Sequence, residues 1–211
     1  MRYDVIVSGA GPAGSTTARE CASQGLSVLM LDKVEFPRDK PCGGAVSIRA
    51  AELLPMDISP VVERVITKVR FTRQRSHGFN RSFPKAVAYL TQRSHLDTFL
   101  AECASSTGVI FHQREPVIEV ERRSTHVLVR TKNTCYEGQI LVAADGVNGQ
   151  TAKMAGVDLR FMHGIAMEGN ISPPGGVPAE WQDMMGFDFG GLPGGYGWNF
   201  PKKDHLNIGL G

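Results

Sequence analysis

The chain has 211 residues, 42% of them hydrophobic and 21% charged, a balance that belongs to a folded domain and excludes a disordered segment. Its 23 basic and 21 acidic residues leave a formal charge of +2 with no long run of one sign, which argues against nucleic acid or another polyanion as partner. No apolar run approaches the roughly 18 residues that a membrane-spanning helix requires, which leaves a peripheral membrane association open.

In chain order, Tyr3 to Val7 is a short apolar run rich in β-branched residues and reads as a strand. It ends at GAGPAG, which opens a helix through ARECASQG with Gly25 as its stop. SVLMLD is a second apolar run, ending at Asp32. Two strands joined through one helix must run parallel, so the chain opens as a Rossmann-like α/β unit. Ser94, Leu96, Phe99, Leu100, Cys103 and Ala104 then repeat at helical spacing, with Ser94 as the expected N-cap and Gly108 as the stop. VIFH, VIEVERR, HVLVRTK and YEGQILVAADG read as further strands, the middle pair as a hairpin over the sheet and the last buried on both faces.

The stretch 63–74 fits this core less well, and everything after about residue 160 reads as β-like pieces punctuated by Gly and Pro. The predicted organisation is a dinucleotide domain of parallel sheet and ββα-type elements over 1–62 and 76–160. Interleaved with it is a partial antiparallel β substrate domain over 63–75 and 161–211. LNIGLG ends the chain on a strand pattern with no closing turn, which predicts a fragment of a longer protein.

Gly9, Gly11 and Gly14 form G-x-G-x-x-G where a strand meets a helix. There the first glycine permits the tight turn, the second admits a pyrophosphate to the backbone and the third lets helix and strand pack closely. The helix start adds unpaired N–H donors and partial positive charge for the phosphate. Asp32 stands 18 positions after Gly14, at the end of the next strand, where a carboxylate can hold ribose hydroxyls. That carboxylate disfavours a phosphorylated ribose despite the neighbouring Lys33, leaving FAD or NAD.

Arg93 before its helix, Asp145 and Gly146 after a strand, and DKPCGG shortly after the second strand add to GAGPAG. Together they resemble the flavoprotein monooxygenase-like superfamily with its glutathione-reductase-like FAD fold, across nearly the whole chain. Within it the chain is similar to the geranylgeranyl reductase family, which carries P-x-x-x-P-C-G-G, here Pro37 to Gly44, and Y-G-W-x-F-P-K, here Tyr196 to Lys202. The resemblance implies that Gly9, Gly11, Pro12, Ala13 and Gly14 cradle the FAD pyrophosphate, and that Asp32, with Lys33 beside it, meets the adenosine ribose. Relatives commonly carry Glu at that position. It further implies cofactor contacts from Cys42, Gly43, Gly44, Ala45, Arg93, Asp145 and Gly146, and a backbone contact to adenine from Val117.

The activity implied is hydride transfer from reduced FAD to a C=C bond of an isoprenoid or prenyl-lipid chain, with NADPH or another reductant as electron donor. Tyr196, Trp198 and Phe200 would line the apolar substrate path, and Cys42 is the candidate catalytic group. An FAD monooxygenase or halogenase is the alternative, although GWNFP matches the halogenase W-x-W-x-I-P only in part. A non-catalytic FAD-binding fragment is a third. The histidines at 77, 95, 112, 126, 163 and 205 form no H-E-x-x-H or His/Cys cluster and read as surface or solvated residues, so no metal is expected. Cys21, Cys42, Cys103 and Cys135 are too scattered for C-x-x-C, which predicts free thiols and a cytoplasmic location.

Overall fold

A computed structural model describes residues 1–158, 160 and 163–211. The chain opens with β1 (Arg2–Ser8), α1 (Pro12–Ser23) and β2 (Val28–Leu31), then β3 (Ala45–Ser47) and the short α2 (Ile48–Glu52). β4 (Arg64–Ile66), β5 (Lys68–Arg73), β6 (Gly78–Ser82), β7 (Ala88–Leu90) and α3 (Arg93–Ser106) follow. Next come β8 (Ile110–His112), β9 (Glu119–Arg122), β10 (Val127–Arg130), β11 (Cys135–Ala143) and α4 (Thr151–Met154). The last strands are β12 (Met167–Ile171), β13 (Met184–Phe189), β14 (Tyr196–Pro201) and β15 (Leu206–Leu210).

These elements form two compact units, Met1–Asp39 with Ser94–Phe161, and Lys40–Arg93 with Met162–Gly211. The first holds a six-stranded sheet in the order β8-β2-β1-β11-β10-β9. β8, β2, β1 and β11 run parallel, because each of the first crossovers carries a helix. The two faces of the sheet separate by residue parity. Val5, Val7, Val28 and Met30 pack with Ala18, Ala101 and Ala104 of the helices. Ile6, Leu29 and Leu31 pack with Val127, Val129 and Tyr136 of the antiparallel strands. Burying each such side chain contributes about 1.5–3 kcal/mol, so the apolar runs of β1 and β2 specify their own place in the sheet.

The hairpin of β9 and β10 therefore lies over the parallel sheet, as expected. β11 departs from the prediction of full burial, with Ile140 57% exposed. Its first residues pair antiparallel with β10 while its length from Glu137 pairs parallel with β1, so one strand serves two arrangements and is not covered uniformly on both faces. α3 starts at Arg93, one residue before the expected cap. Asp97, in the first turns of α3, has a fully buried side chain paired with Arg38 at 2.8 Å.

The second unit contains a sheet of order β12-β15-β14-β13-β5-β6 and a smaller one of order β3-β7-β4. All pairings in the large sheet are antiparallel except β5 with β13, which runs parallel. The predicted boundaries shift accordingly. Residues 40–62 and 76–93, expected in the dinucleotide domain, cluster with the second unit because β3 and β7 pair with β4, and β6 pairs with β5. The stretch 63–74 splits into β4 and β5, which join different sheets. Residue 161, at the expected boundary, lies outside the described residues. Among the described residues no helix is long and apolar enough to cross a membrane.

Candidate cofactor and substrate sites

In the first unit the turn between β1 and α1 is shaped for close approach. Gly9 has φ +99°, a left-handed conformation that disfavours a side chain, and a Cβ there would collide with the Ala144 carbonyl. A Cβ at Gly14 would collide with the Gly9 carbonyl oxygen, so only glycine lets the helix start sit on the loop. Gly11 is the N-cap of α1 and offers no side-chain cap, and Pro12 at the first turn has no N–H to leave unpaired. The N–H groups of Ala13 and Gly14 therefore lack helical partners and suit an anion.

Asp32 at the end of β2 is 8% exposed. Its Oδ2 accepts the Ala10 N–H at 2.7 Å and its Oδ1 the Val34 N–H at 3.1 Å. Its carboxylate thus ties the glycine loop to the second strand, and each oxygen retains a lone pair for a further donor. Beside it lies a cavity of about 170 Å³ whose lining includes Gly9, Asp32, Lys33, Val117 and Asp145. Asp145 Oδ2 accepts the N–H groups of Gln150 and Thr151 at 2.8 and 3.0 Å, so it holds the start of α4 as well as facing the cavity. Gly146 takes φ +86° in the turn between them.

Glu115, unremarked in the sequence, lines the same cavity and is 8% exposed. It accepts hydrogen bonds from Thr131 Oγ1 and Tyr136 OH, both at 2.8 Å, and lies 3.1 Å from His112 Nδ1. Burial pushes its carboxyl up, but the donors from Thr131, Tyr136 and His112 outweigh that and hold it below its ordinary value. Burial and the Glu115 carboxylate push the Tyr136 phenol up to about 12. His112, expected to be solvated, belongs to this network.

In the second unit Tyr196, Trp198 and Phe200 share one face of β14, since alternate residues of a strand point the same way. Phe187 of β13 meets Phe200 edge-on at 5.5 Å and Tyr196 at 5.7 Å, giving a continuous aromatic row. The Trp198 indole donates to Asn207 Oδ1 at 2.8 Å, which fixes its ring. The loop of Cys42, Gly43 and Gly44 packs on this row. A Cβ on Gly43 would stand 2.7 Å from Phe200 Cδ2 and 3.2 Å from Trp198 Nε1.

Gly44 has φ +63° and hydrogen-bonds through its N–H to Cys42 Sγ at 3.4 Å, while Ala45 enters β3 opposite Leu90. The Cys42 N–H donates to Glu168 Oε1 at 2.7 Å, and Glu168 Oε2 is buried without a hydrogen-bond partner among the described residues. Lys202 is 2% exposed and donates to the carbonyls of Gly43 and Thr91 at 2.8 and 2.7 Å. Burial pushes its ammonium down to about 8 against the opposing pull of Glu63, Cys42 and Glu168. The alternation of Tyr196, Trp198 and Phe200 carried one step further would have pointed to Lys202. No comparable signal marks Glu115 or Glu168. Arg93 is the first residue of α3 and the last of the second unit's first segment.

A glycine turn whose close approaches leave no room for Cβ, uncapped helix N–H groups and a buried carboxylate at the next strand end fit an adenine dinucleotide and define a Rossmann-like dinucleotide-binding protein. Within that class, the parallel strands here carry helices on one face and the hairpin of β9 and β10 on the other. The chain belongs to the FAD binding domain family, which its residues 2–173 match.

It is 31% identical over 229 aligned residues to the digeranylgeranylglycerophospholipid reductase 1 of Methanothermobacter thermautotrophicus, covering 99% of this chain and 55% of that protein. The menaquinone reductase of Mycolicibacterium smegmatis is 32% identical over 100% of this chain and 55% of its own length. Among solved structures, a geranylgeranyl bacteriochlorophyll reductase-like protein of Thermoplasma acidophilum superposes with a TM-score of 0.85 at 25% identity, over 99% of this chain and 56% of the other. The chain thus spans about half the length of the curated relatives it matches, and the resemblance to geranylgeranyl reductases noted from its motifs is borne out.

Proposed function

We propose that the protein is an FAD-dependent oxidoreductase that saturates C=C bonds of a prenyl lipid. The observation that carries this reading is the packing of the Cys42–Gly44 loop on Trp198 and Phe200, since it joins the two segments whose motifs suggest an isoprenoid reductase. Gly9, Gly11, Pro12, Ala13 and Gly14 would hold the pyrophosphate of FAD, and Asp32, Lys33 and Val117 its adenosine. Cys42, Gly43, Gly44, Ala45, Arg93, Asp145 and Gly146 complete the proposed set. When bound and reduced, FAD supplies a hydride to one alkene carbon, and a proton reaches the other.

The aromatic row of Phe187, Tyr196, Trp198 and Phe200 suits a polyene, because aromatic faces pack flat against apolar chain and exclude water without donating strong hydrogen bonds. NADPH is the proposed source of electrons, and a prenyl-lipid substrate implies approach to a membrane surface. Relatives named for digeranylgeranylglycerophospholipid reduction support the substrate class.

The test is anaerobic. FAD-loaded protein, reduced by dithionite or by NADPH, is mixed with a geranylgeranyl phospholipid and the lipid analysed by mass spectrometry. The expected result is a mass gain of one hydrogen molecule per saturated bond with reoxidation of the flavin. Lipid left unchanged while air alone reoxidises the flavin, with NADPH oxidation coupled to oxygen uptake, would favour a monooxygenase and overturn this reading.

A further inference from the structure

Lysine is almost never fully buried without a charged partner, because removing an ammonium from water costs several kcal/mol. Lys202 nevertheless lies 2% exposed, two residues after Phe200 and just past the end of β14. Its base is rigid. Arg64 Nε donates to its carbonyl at 3.0 Å, and its own N–H donates to the His205 carbonyl at 2.7 Å. Its ammonium then meets two carbonyls from separate segments, Gly43 and Thr91.

Thr91 also donates its N–H to the Gly44 carbonyl at 2.9 Å, so the loop is gripped at successive peptides. A Cβ on Gly44 would lie 2.8 Å from Lys202 Nζ as well as colliding with the Thr91 carbonyl, which leaves the loop no alternative side-chain packing. Neighbouring Glu63, Cys42 and Glu168 favour the charged form, and at neutral pH the ammonium is protonated.

We propose that Lys202 is the positioning residue of the Cys42–Gly44 loop, its ammonium fixing the Gly43 peptide so that Gly43 stays packed on Trp198 and Phe200 and the Gly44 amide stays on the Cys42 sulfur. The geometry sets the division of labour. Glu168 anchors the loop through the Cys42 N–H, Lys202 anchors it through the Gly43 carbonyl, and the sulfur of the exposed Cys42 accepts the Gly44 N–H at 3.4 Å between them. The consequence for turnover rests on the reductase reading above, whereas the tie itself does not.

Two variants separate the tie from mere packing. Lys202→Met keeps the length and apolar stem but removes donors and charge, and Lys202→Arg keeps donors and charge at altered volume. Hydrogen exchange of the Gly44 and Thr91 amides in FAD-loaded protein at pH 7 is expected to quicken about tenfold in the Met variant and to stay within about threefold of the parent in the Arg variant. Turnover of a geranylgeranyl phospholipid by protein saturated with FAD is expected to lose about tenfold in kcat with KM unchanged in the Met variant, with recovery in the Arg variant. Unchanged exchange in the Met variant, or slow exchange in Met with fast exchange in Arg, overturns the proposal. So does faster exchange with unchanged kcat, which would leave a tie without bearing on the reaction. A parent protein that never saturates the lipid overturns the reductase reading alone, and the exchange measurement then decides the tie by itself.

Discussion

At Lys202, burial and charge oppose one another, and pH decides between them. Burial pushes its pKa from the ordinary 10.5 down to about 8. Below pH 8 the folded protein carries the full cost of a buried ammonium. Between pH 8 and 10.5 the unfolded chain binds more protons than the folded one, so stability rises with pH. Relative to Lys202→Met, the parent should gain up to about 3 kcal/mol across that window, read by urea unfolding at successive pH values. A stability difference that stays flat from pH 8 to 10.5 would contradict this. Asp32 presents the opposite case. It is as well buried as Glu115, but backbone N–H groups satisfy both of its oxygens, so its charge organises the glycine loop.

Elements in the first unit are joined by polar links as well as by apolar faces. Glu115 follows β8 and collects donors from Thr131 after β10 and Tyr136 in β11, while its N–H donates to the Asp32 carbonyl at 2.8 Å. The network therefore fastens the hairpin to the strand end that carries the ribose-binding candidate. Since the Glu115 carboxyl is held below its ordinary 4.5, its stabilising contribution is present above that pH and is lost as pH falls through the folded value. Tyr136→Phe removes one donor from a buried carboxylate and should cost about 1–2 kcal/mol at pH 7. It should also raise the midpoint of acid unfolding, followed by circular dichroism. An unchanged acid midpoint would show that Thr131 and His112 suffice.

For the molecule as a whole, both compact units are built from two separated stretches of chain, so neither can be removed as one contiguous piece. A ligand that binds only folded protein adds RT ln(1 + [L]/Kd) to its stability, about 2.7 kcal/mol at a hundred times Kd. FAD at that level should raise the melting temperature and slow amide exchange in β1 and β2. FMN, which lacks the adenosine that the Asp32 cavity would receive, should give a smaller protection there. Equal protection by FMN and FAD would remove Asp32, Lys33 and Val117 from the proposed adenosine site.

What the amino-acid sequence determined by itself was local. The order strand, glycine loop, helix, strand and the place of Asp32 follow from glycines, caps and apolar runs acting within a few neighbouring residues, and so does the alternation of Tyr196, Trp198 and Phe200. Strand partnership was not legible in this way. Nothing within β5 says that it lies parallel beside β13, or that residues 40–62 join the second unit, because such pairings rest on which apolar faces cover one another. The tie from Lys202 to Gly43 spans 159 positions, and Glu115 meets Tyr136 across 21. Only the tertiary structure brings such groups together, since a lysine or a glutamate reveals its role only through the burial and the partners that the completed fold imposes.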